Sequence, residues 1–225
     1  MGLPIPKELA PLGPGRCVID SSLSLIREAS AASDVRVILM TDGDRDLTAR
    51  YIRGRLPGIP VAEVVQDPDA PDMTEAVIAL GPWLGHANVL LLPDVIYSWA
   101  GDPVTEAATA AVSYGFAVAA VKAGPDQIRD AGALRVWADL TGEDRIAAFE
   151  DKPADPSGYN ALWGMLAFTS GTFGMDAMRV VAASASKART GPVTEPPVWG
   201  APVTWLAGFR DCGTWDRYLA ELRGS

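Results

Sequence analysis

Two aspartates occupy positions at which carboxylates often do chemistry. Asp94 lies in the apolar run 89–96, which predicts a fully buried central strand, and Asp211 closes the apolar run 203–210. Ligands of open α/β sheets bind beyond the carboxyl ends of such strands. Two converging carboxylates need a cation between them, and Mg²⁺ prefers one or two carboxylates together with phosphate oxygens and water. Each aspartate also has a structural interpretation, Asp94 as a turn residue and Asp211 as a local cap before the last helix.

Two lysines and a glutamine extend this set of candidates. Lys7 lies in Pro-Lys-Glu-Leu and Lys152 in Glu-Asp-Lys-Pro, so proline places each in irregular backbone beside an acid. Such a lysine can direct its charge at a phosphate, whereas the ordinary interpretation of a lone lysine is a solvated surface residue. Gln66 closes an apolar run, and its amide could pair with a nucleobase edge or cap the following turn.

Composition excludes several classes of protein. The chain has 225 residues, 48% of them hydrophobic and 21% charged, which predicts one soluble globular domain. A net charge of −9 argues against nucleic-acid binding and against an anionic membrane surface. His86 is the single histidine, which excludes a histidine-rich zinc site. Two cysteines, Cys17 and Cys212, form no disulfide framework, and with no signal peptide or spanning run we expect a cytoplasmic protein.

The order of the predicted elements indicates an α/β fold. As far as residue 121 the pattern alternates between helix and strand, which implies βαβ units, a mostly parallel sheet and right-handed crossovers. The second half differs, because the apolar runs 133–139, 145–150 and 162–169 have no full helices between them. These runs predict a small antiparallel insertion over the ligand end of the sheet. A helix over 172–186, a strand over 203–210 and a final helix capped by Thr214 follow.

In order and in rough spacing, these motifs resemble the sugar-1-phosphate nucleotidyltransferases, the nucleotide-sugar pyrophosphorylases. The resemblance covers nearly the whole chain, and Pro-Lys-Glu-Leu is most similar to the bacterial UTP–glucose-1-phosphate uridylyltransferases. It implies a Rossmann-like, glycosyltransferase-A-like fold with three α/β/α layers. The motifs that carry it are Pro6-Lys7-Glu8-Leu9, Gln66, Leu92-Pro93-Asp94-Val95-Ile96, Asp151-Lys152-Pro153 and Asp211-Cys212-Gly213-Thr214.

The resemblance also implies an activity and a role for each residue. An NTP and a sugar 1-phosphate would give an NDP-sugar and pyrophosphate, with Mg²⁺ held by Asp94 and Asp211. Lys7 would neutralise the triphosphate and Lys152 would bind the sugar phosphate. Residues 1–125 would form the nucleotide-binding half and residues 126–225 the sugar-phosphate-binding half of one domain. The remaining implied contacts are Gln66 and Pro71 at the base, and Gly132 and Asp151 at the sugar.

Two departures from the family pattern leave alternatives open. The family has an apolar strand and a Gly-x-Gly-x-Arg phosphate loop before the Pro-Lys motif, whereas Lys7 lies close to Met1 and Gly13-Pro14-Gly15-Arg16 follows the motif. Upstream residues could be omitted, the chain could be degenerate, or a partner could supply the strand. Pro71 stands where the family usually has glycine, and proline has no N–H to offer a base.

The sequence therefore leaves three functions open. The first is the nucleotidyltransferase, with UTP or dTTP favoured as the NTP and a homo-oligomer possible. The second is a non-catalytic homologue that binds a nucleotide or a sugar phosphate. The third is a CTP-dependent transferase that acts on a phospho-alcohol. All three require a soluble partner of low molecular weight and neither nucleic acid nor membrane.

Overall fold

A computed structural model describes residues 5–41, 46–66, 73–185 and 191–224. The chain groups into two compact units, each assembled from segments that are distant in sequence. The first unit comprises Met1–Pro68, Leu92–Asp102 and Ala207–Ser225, and the second comprises Asp69–Leu91 and Pro103–Leu206. The division into halves at residue 125 stays a prediction.

Helices and strands alternate along much of the chain. The helices are α1 Asp20–Ser30, α2 Asp46–Arg55, α3 Met73–Ala79, α4 Pro103–Tyr114, α5 Pro125–Ile128, α6 Thr172–Ala185 and α7 Trp215–Gly224. The strands are β1 Pro11–Gly13, β2 Arg16–Cys17, β3 Val37–Thr41, β4 Val61–Val65, β5 Ala87–Leu91, β6 Val95–Ser98, β7 Phe116–Lys122, β8 Gly132–Ala138, β9 Asp144–Asp151, β10 Ala161–Thr169, β11 Val203–Trp205 and β12 Gly208–Asp211.

The described residues of the first unit form three strand pairs and contribute to at least two apolar clusters. Strands β1 and β2 pair antiparallel, β3 and β4 parallel, and β6 and β12 antiparallel. One cluster joins α1 to α2, and the other joins β6 to the segment that leads into α7, so burial of apolar surface holds these elements together. The buried members of the first cluster are Ile19, Leu23, Ile52 and Leu56, and those of the second are Ala10, Val18, Ile96, Cys212 and Tyr218.

The second unit is built on a six-stranded sheet. Its strands run in the order β11-β7-β10-β8-β9, and β5 pairs with the other end of β10. Strands β7 and β10 carry much of its core, and the residues of β7 from Phe116 to Val121 are all buried. Helices α4 and α6 pack on β7 and β10, and α3 packs on α6. Alternating helices and sheet strands of this kind give the α/β architecture that the sequence predicts.

The predicted α/β fold is confirmed, but its six-stranded sheet is mixed: β11 and β7 pair parallel, whereas β10 with β5, β7 and β8, and β8 with β9, pair antiparallel. Two local elements also differ from the prediction. Strand β10 pairs antiparallel with β5 and β7, so the run 162–169 belongs to the sheet itself and not to an insertion. The run 89–96 is not one buried strand, because β5 ends at Leu91 and β6 begins at Val95. Pro93 and Asp94 form the turn between them, and proline cannot donate to a strand ladder. Strand β5 is half-buried, whereas β7 and β10 are the largely buried strands of this sheet.

The starts of α4, α6 and α7 agree with the sequence patterns. Helix α4 begins at Pro103, where the missing N–H of proline costs nothing, and α6 begins at Thr172 as expected. The backbone N–H of Arg217 donates to the hydroxyl of Thr214 at 3.4 Å, so Thr214 caps α7 as predicted. Within the described ranges, no helix combines the length and the apolar character needed to cross a bilayer.

Candidate active site

Lys7, Asp94 and Gly213 meet in the first unit although they are far apart in the sequence. Lys7 lies in a short 3₁₀ helix, Lys7–Leu9, and its ammonium is 2.5 Å from Oδ2 of Asp94. The same ammonium donates to the carbonyl of Gly213 at 3.5 Å. The neighbouring Glu8 is buried and accepts a hydrogen bond from Thr48 at 2.8 Å, so it anchors the motif while Lys7 stays half-exposed.

The strand pair β6–β12 explains why Asp94 and Asp211 lie at the same place. In this antiparallel pair Asp211 is opposite Val95, so the residue before β6 meets the residue that ends β12. The backbone N–H of Cys212 donates to the carbonyl of Asp94 at 2.8 Å and extends the pairing. The two aspartates therefore converge through antiparallel pairing, and not as the carboxyl ends of two parallel strands.

Two hydrogen bonds of the Leu92 backbone hold the turn that contains Asp94. Its N–H donates to the phenolic oxygen of Tyr97 at 3.1 Å, and its carbonyl accepts from the Ser22 hydroxyl at 2.9 Å. Tyr97 is only 4% exposed, and burial raises the pKa of its hydroxyl well above the ordinary value. The neutral phenol thus remains available as an acceptor throughout the physiological pH range.

Replacement of Tyr97 by phenylalanine is expected to destabilise the protein by about 1 kcal/mol, because it leaves the partly buried Leu92 N–H without its acceptor. Urea denaturation measures the change. Ser113→Ala is the control, since its exposed hydroxyl bonds only to Thr109 on the same helix. Equal stability of Tyr97→Phe and the parent would show that this hydrogen bond does not hold the turn.

Asp211 has its own set of partners. Its Oδ1 accepts the backbone N–H of Gly213 at 2.6 Å, and its Oδ2 pairs with the guanidinium of Arg217 in the first turn of α7. Arg217 was not among the residues that the sequence singled out. With Lys7 on Asp94 and Arg217 on Asp211, the cluster contains two acids and two bases, and each acid has a basic neighbour.

Asp94 and Asp211 are the carboxylates of this cluster that could hold a small divalent cation. A Cβ placed on Gly213 would lie 2.8 Å from Oδ1 of Asp211 and 2.9 Å from Oδ2 of Asp94, so both oxygens border the same small space. Mg²⁺ takes few protein ligands when it also binds phosphates, and two carboxylates satisfy that preference. Among the described residues, no group of three or more His, Cys, Asp or Glu side chains has metal-binding spacing. A cation held here would therefore take its remaining ligands from substrate and water.

Cys212 follows Asp211 directly but is not suited to act as a nucleophile. Its side chain is buried, and burial, followed by the charges of Glu221 and Asp211, raises the pKa of its thiol to about 11. The thiolate is the reactive form of cysteine, so this thiol is inert at neutral pH. Its contribution is to the apolar cluster beneath the strand pair β6–β12.

A second group of predicted residues meets in the second unit. Gly132 is opposite Asp151 in the strand pair β8–β9, and the Lys152 ammonium is 3.3 Å from the Asp151 carboxylate. Lys152 has a φ of 49°, a conformation that costs free energy for any residue other than glycine. Its N–H donates to the Ala131 carbonyl at 3.0 Å, which holds the strained backbone in place.

Trp163 is the residue of this group that sequence reasoning missed. A Cβ on Gly132 would lie 1.7 Å from the indole nitrogen of Trp163, so the ring packs directly on the glycine. The indole nitrogen is buried and has no hydrogen-bond partner within the described part of the chain. Spacing alone could not have revealed this contact, since it depends on the register of β10 beside β8.

Of the two residues predicted to contact the base, the structure describes Gln66. Gln66 follows β4 directly, and its backbone N–H donates to the Thr41 carbonyl at 2.7 Å. Its side chain has no hydrogen-bond partner among the described residues, so the structure leaves both interpretations of Gln66 open. Pro71 lies outside the described residues.

Comparisons with known proteins bear on the fold. No protein-family model matches this sequence, and a search of curated proteins gave no significant match. Solved structures do match. The chain is similar to a UDP-glucose pyrophosphorylase complexed with UDP-glucose, with 16% identity and a TM-score of 0.69 over 99% of this chain and 92% of that one.

Two further structures give the same result. A UTP-bound UGPase from Acinetobacter baumannii has 16% identity and a TM-score of 0.68, over 98% of this chain and 85% of that one. A putative glucose-1-phosphate thymidylyltransferase from Bacillus anthracis, in complex with a sucrose, has 18% identity and a TM-score of 0.71, over 97% and 86%. At such identities the likeness establishes structure and not activity. The chain therefore has the fold of the nucleotide-sugar pyrophosphorylases, as its motifs predicted.

Proposed function

We propose that this chain is a nucleotidyltransferase that transfers a nucleoside monophosphate from an NTP to a sugar 1-phosphate and releases pyrophosphate. The observation that carries the proposal is the meeting of Lys7, Asp94 and Asp211 around Gly213. These residues come from three distant segments of a chain that has the fold of known pyrophosphorylases. A purely structural role for each residue would not require that they meet at one point.

The reaction needs positioning and charge neutralisation and no covalent intermediate. A phosphate oxygen of the sugar 1-phosphate attacks the α-phosphorus of the NTP, the bond from that phosphorus to the β-phosphate bridge breaks, and pyrophosphate leaves with the electron pair. Lys7 would lie against the triphosphate and offset its growing negative charge. Mg²⁺ held by Asp94 and Asp211 would supply further stabilisation of charge on the phosphates.

The residues of the second unit would hold the acceptor. The Lys152 side chain is 59% exposed, so its ammonium would turn from Asp151 to a sugar phosphate, while Asp151 would offer carboxylate oxygens to sugar hydroxyls. The strained backbone at Lys152 is a feature that often marks ligand sites. Among NTPs we favour UTP or dTTP, in line with the UTP and UDP-glucose named for similar structures.

A matrix of NTPs against phosphorylated acceptors, followed by pyrophosphate release, tests the function. UTP, dTTP, CTP, ATP and GTP are each combined with hexose 1-phosphates and with phosphocholine. We expect turnover with a hexose 1-phosphate and Mg²⁺, and its loss in Asp211→Ala. Asp216→Ala is the matched control, because Asp216 also lies in the first turn of α7 but is exposed and has no partner among the described residues. Full activity of Asp211→Ala would refute the proposed role.

A non-catalytic binding protein is the second candidate function. It is favoured by the basic partners, Lys7 and Arg217, that already neutralise the two aspartates. A binding protein of this kind would be thermally stabilised by an NTP or a sugar phosphate and would release no pyrophosphate from any combination. The same matrix also identifies the CTP-dependent alternative, through turnover with phosphocholine and CTP alone.

A further inference from the structure

A basic cleft in the first unit stands out from the acidic character of the chain. It has a volume of about 310 Å³ and is bordered by the β1–β2 turn, by α1, by the end of α2 and by β6. Its charged lining residues are Arg16, Arg27, Arg55 and Asp20. Three guanidinium groups against one carboxylate make this cleft positive, in a chain whose net charge is −9.

The one lining carboxylate is already occupied by neighbours. Asp20 accepts the backbone N–H of Cys17 at 2.8 Å and the Tyr51 hydroxyl at 2.7 Å, and Arg55 lies 3.8 Å away as its ion-pair partner. Glu28 accepts the indole N–H of Trp99 at 2.7 Å and does not line the cleft. The acids near the cleft therefore do not neutralise all of its arginines.

Two of the arginines are held in place and still have N–H groups to offer. Arg27 donates to the Ser24 hydroxyl at 2.8 Å and to the Arg55 carbonyl at 3.3 Å. Arg55 donates to the Gly15 carbonyl at 2.7 Å and lies over the Tyr51 ring at 5.0 Å. A guanidinium has five N–H groups, so these contacts orient both side chains without using all their donors.

The Arg16 side chain is exposed at the start of β2, and its guanidinium forms no hydrogen bond or ion pair with a described residue. An exposed guanidinium beside two oriented ones is the arrangement that captures phosphate oxygens by paired N–H groups. The volume lies at the lower end of the range for small-molecule sites, which limits the ligand to a compact one.

We propose that this cleft binds a small phosphorylated anion through Arg16, Arg27 and Arg55. The ligand class is a free orthophosphate or pyrophosphate, or a compact phosphomonoester such as a sugar phosphate. The cleft shares no residue with the cluster of Lys7, Asp94 and Asp211. Binding here is therefore independent of nucleotidyl transfer, and it would hold in a protein that has no such activity.

Trp99 lines the cleft and provides a local optical signal. Titration with pyrophosphate, orthophosphate and glucose 1-phosphate, each without divalent cations, is followed both by calorimetry and by tryptophan fluorescence. We expect saturable binding of at least one of these anions, with a fluorescence change that Trp99→Phe removes. If pyrophosphate binds most tightly, the ligand of the cleft is a free polyphosphate. If glucose 1-phosphate binds most tightly, the ligand is a phosphomonoester.

Charge reversal locates the binding. Arg16→Glu and Arg27→Glu are each expected to weaken binding by at least about 10-fold, since each replaces a favourable contact by a repulsive one. Arg129→Glu is the matched control, because Arg129 is exposed and lies in the second unit. The exposed side chain of Arg16 forms no hydrogen bond or ion pair with a described residue, so its variant remains informative if another fails to fold. Equal weakening by Arg129→Glu, or unchanged binding in Arg16→Glu, would overturn the proposal, and so would the absence of binding of all three anions.

Discussion

Replacement of Asp94 by asparagine is expected to lower the rate of pyrophosphate release by about 10²–10³-fold, a loss typical of removing one preorganised charge from a site of this kind. Asparagine has nearly the same shape, so the space beside Gly213 stays filled while the negative charge is lost. The charge of Lys7 then lies against a neutral amide, and the pair can no longer share a cation between Asp94 and Asp211. Steady-state kinetics at saturating NTP measure the effect.

The folded state should hardly respond to the same change. Lys7 is 50% exposed, and ion pairs with an exposed partner contribute about 0–1 kcal/mol at most. We therefore expect the melting temperature of Asp94→Asn to stay close to that of the parent. Asp46→Asn is the control, because Asp46 also pairs with a basic residue, Arg50, but at an exposed place on α2. A loss of activity shared by both variants, or absent from both, would contradict a special role for Asp94.

The pairing of Lys7, Asp94 and Asp211 shows how far sequence reasoning can reach. Residue types and their order were sufficient to name all three, and the structure brings them together. Both aspartates do follow or end a strand, since Asp211 ends β12 and Asp94 lies just beyond β5. The cause of their meeting was not predicted, because Asp94 also precedes β6 and the antiparallel register of β6 with β12 creates the meeting point. Pairing partners between distant strands depend on the whole fold, and one sequence does not specify them.

Arg217 and Trp163 were missed for a related reason. Neither belongs to a motif, and their roles arise only when α7 and β10 pack against the segments that carry Asp211 and Gly132. The extent of β5 was also mispredicted, because an apolar run that contains Pro93 can be one strand or two strands joined by a turn. Helix starts were more predictable because they depend on local residues: Pro103 has no N–H to lose at the first helical position, and Thr214 accepts a hydrogen bond from the nearby Arg217.

The two residue groups in the two units have different electrostatic characters. Lys7 and Arg217 neutralise the acids of the first group in the absence of substrate, whereas the ammonium of Lys152 is more exposed beside Asp151. Binding of a cation to Asp94 and Asp211 therefore has to compete with two basic side chains. A phosphate-rich ligand offers those side chains new partners, so metal and nucleotide are expected to bind more tightly together than separately.

Gly213 provides the most direct probe of this site, because it carries no side chain and lies between the two acids. Its Cβ position is 2.8 Å from Asp211, 2.9 Å from Asp94 and 3.6 Å from the Lys7 ammonium. A methyl group must push both carboxylates away, and it does so without backbone strain, since Gly213 is not among the glycines with positive φ. A displacement of up to about 1 Å at reacting groups can cost about 10²-fold in rate.

We therefore expect Gly213→Ala to reduce pyrophosphate release by about 10–100-fold and to raise the Mg²⁺ concentration needed for half-maximal rate. Stability should change little, because the atoms that must move are the ends of flexible side chains. Gly208→Ala is the matched control on the same strand pair, where the added methyl would meet only the Ser98 side chain at an ordinary 3.9 Å. If Gly213→Ala kept both its rate and its Mg²⁺ dependence, the two carboxylates would not act as a pair. Their convergence would then be a feature of the strand pair β6–β12 alone.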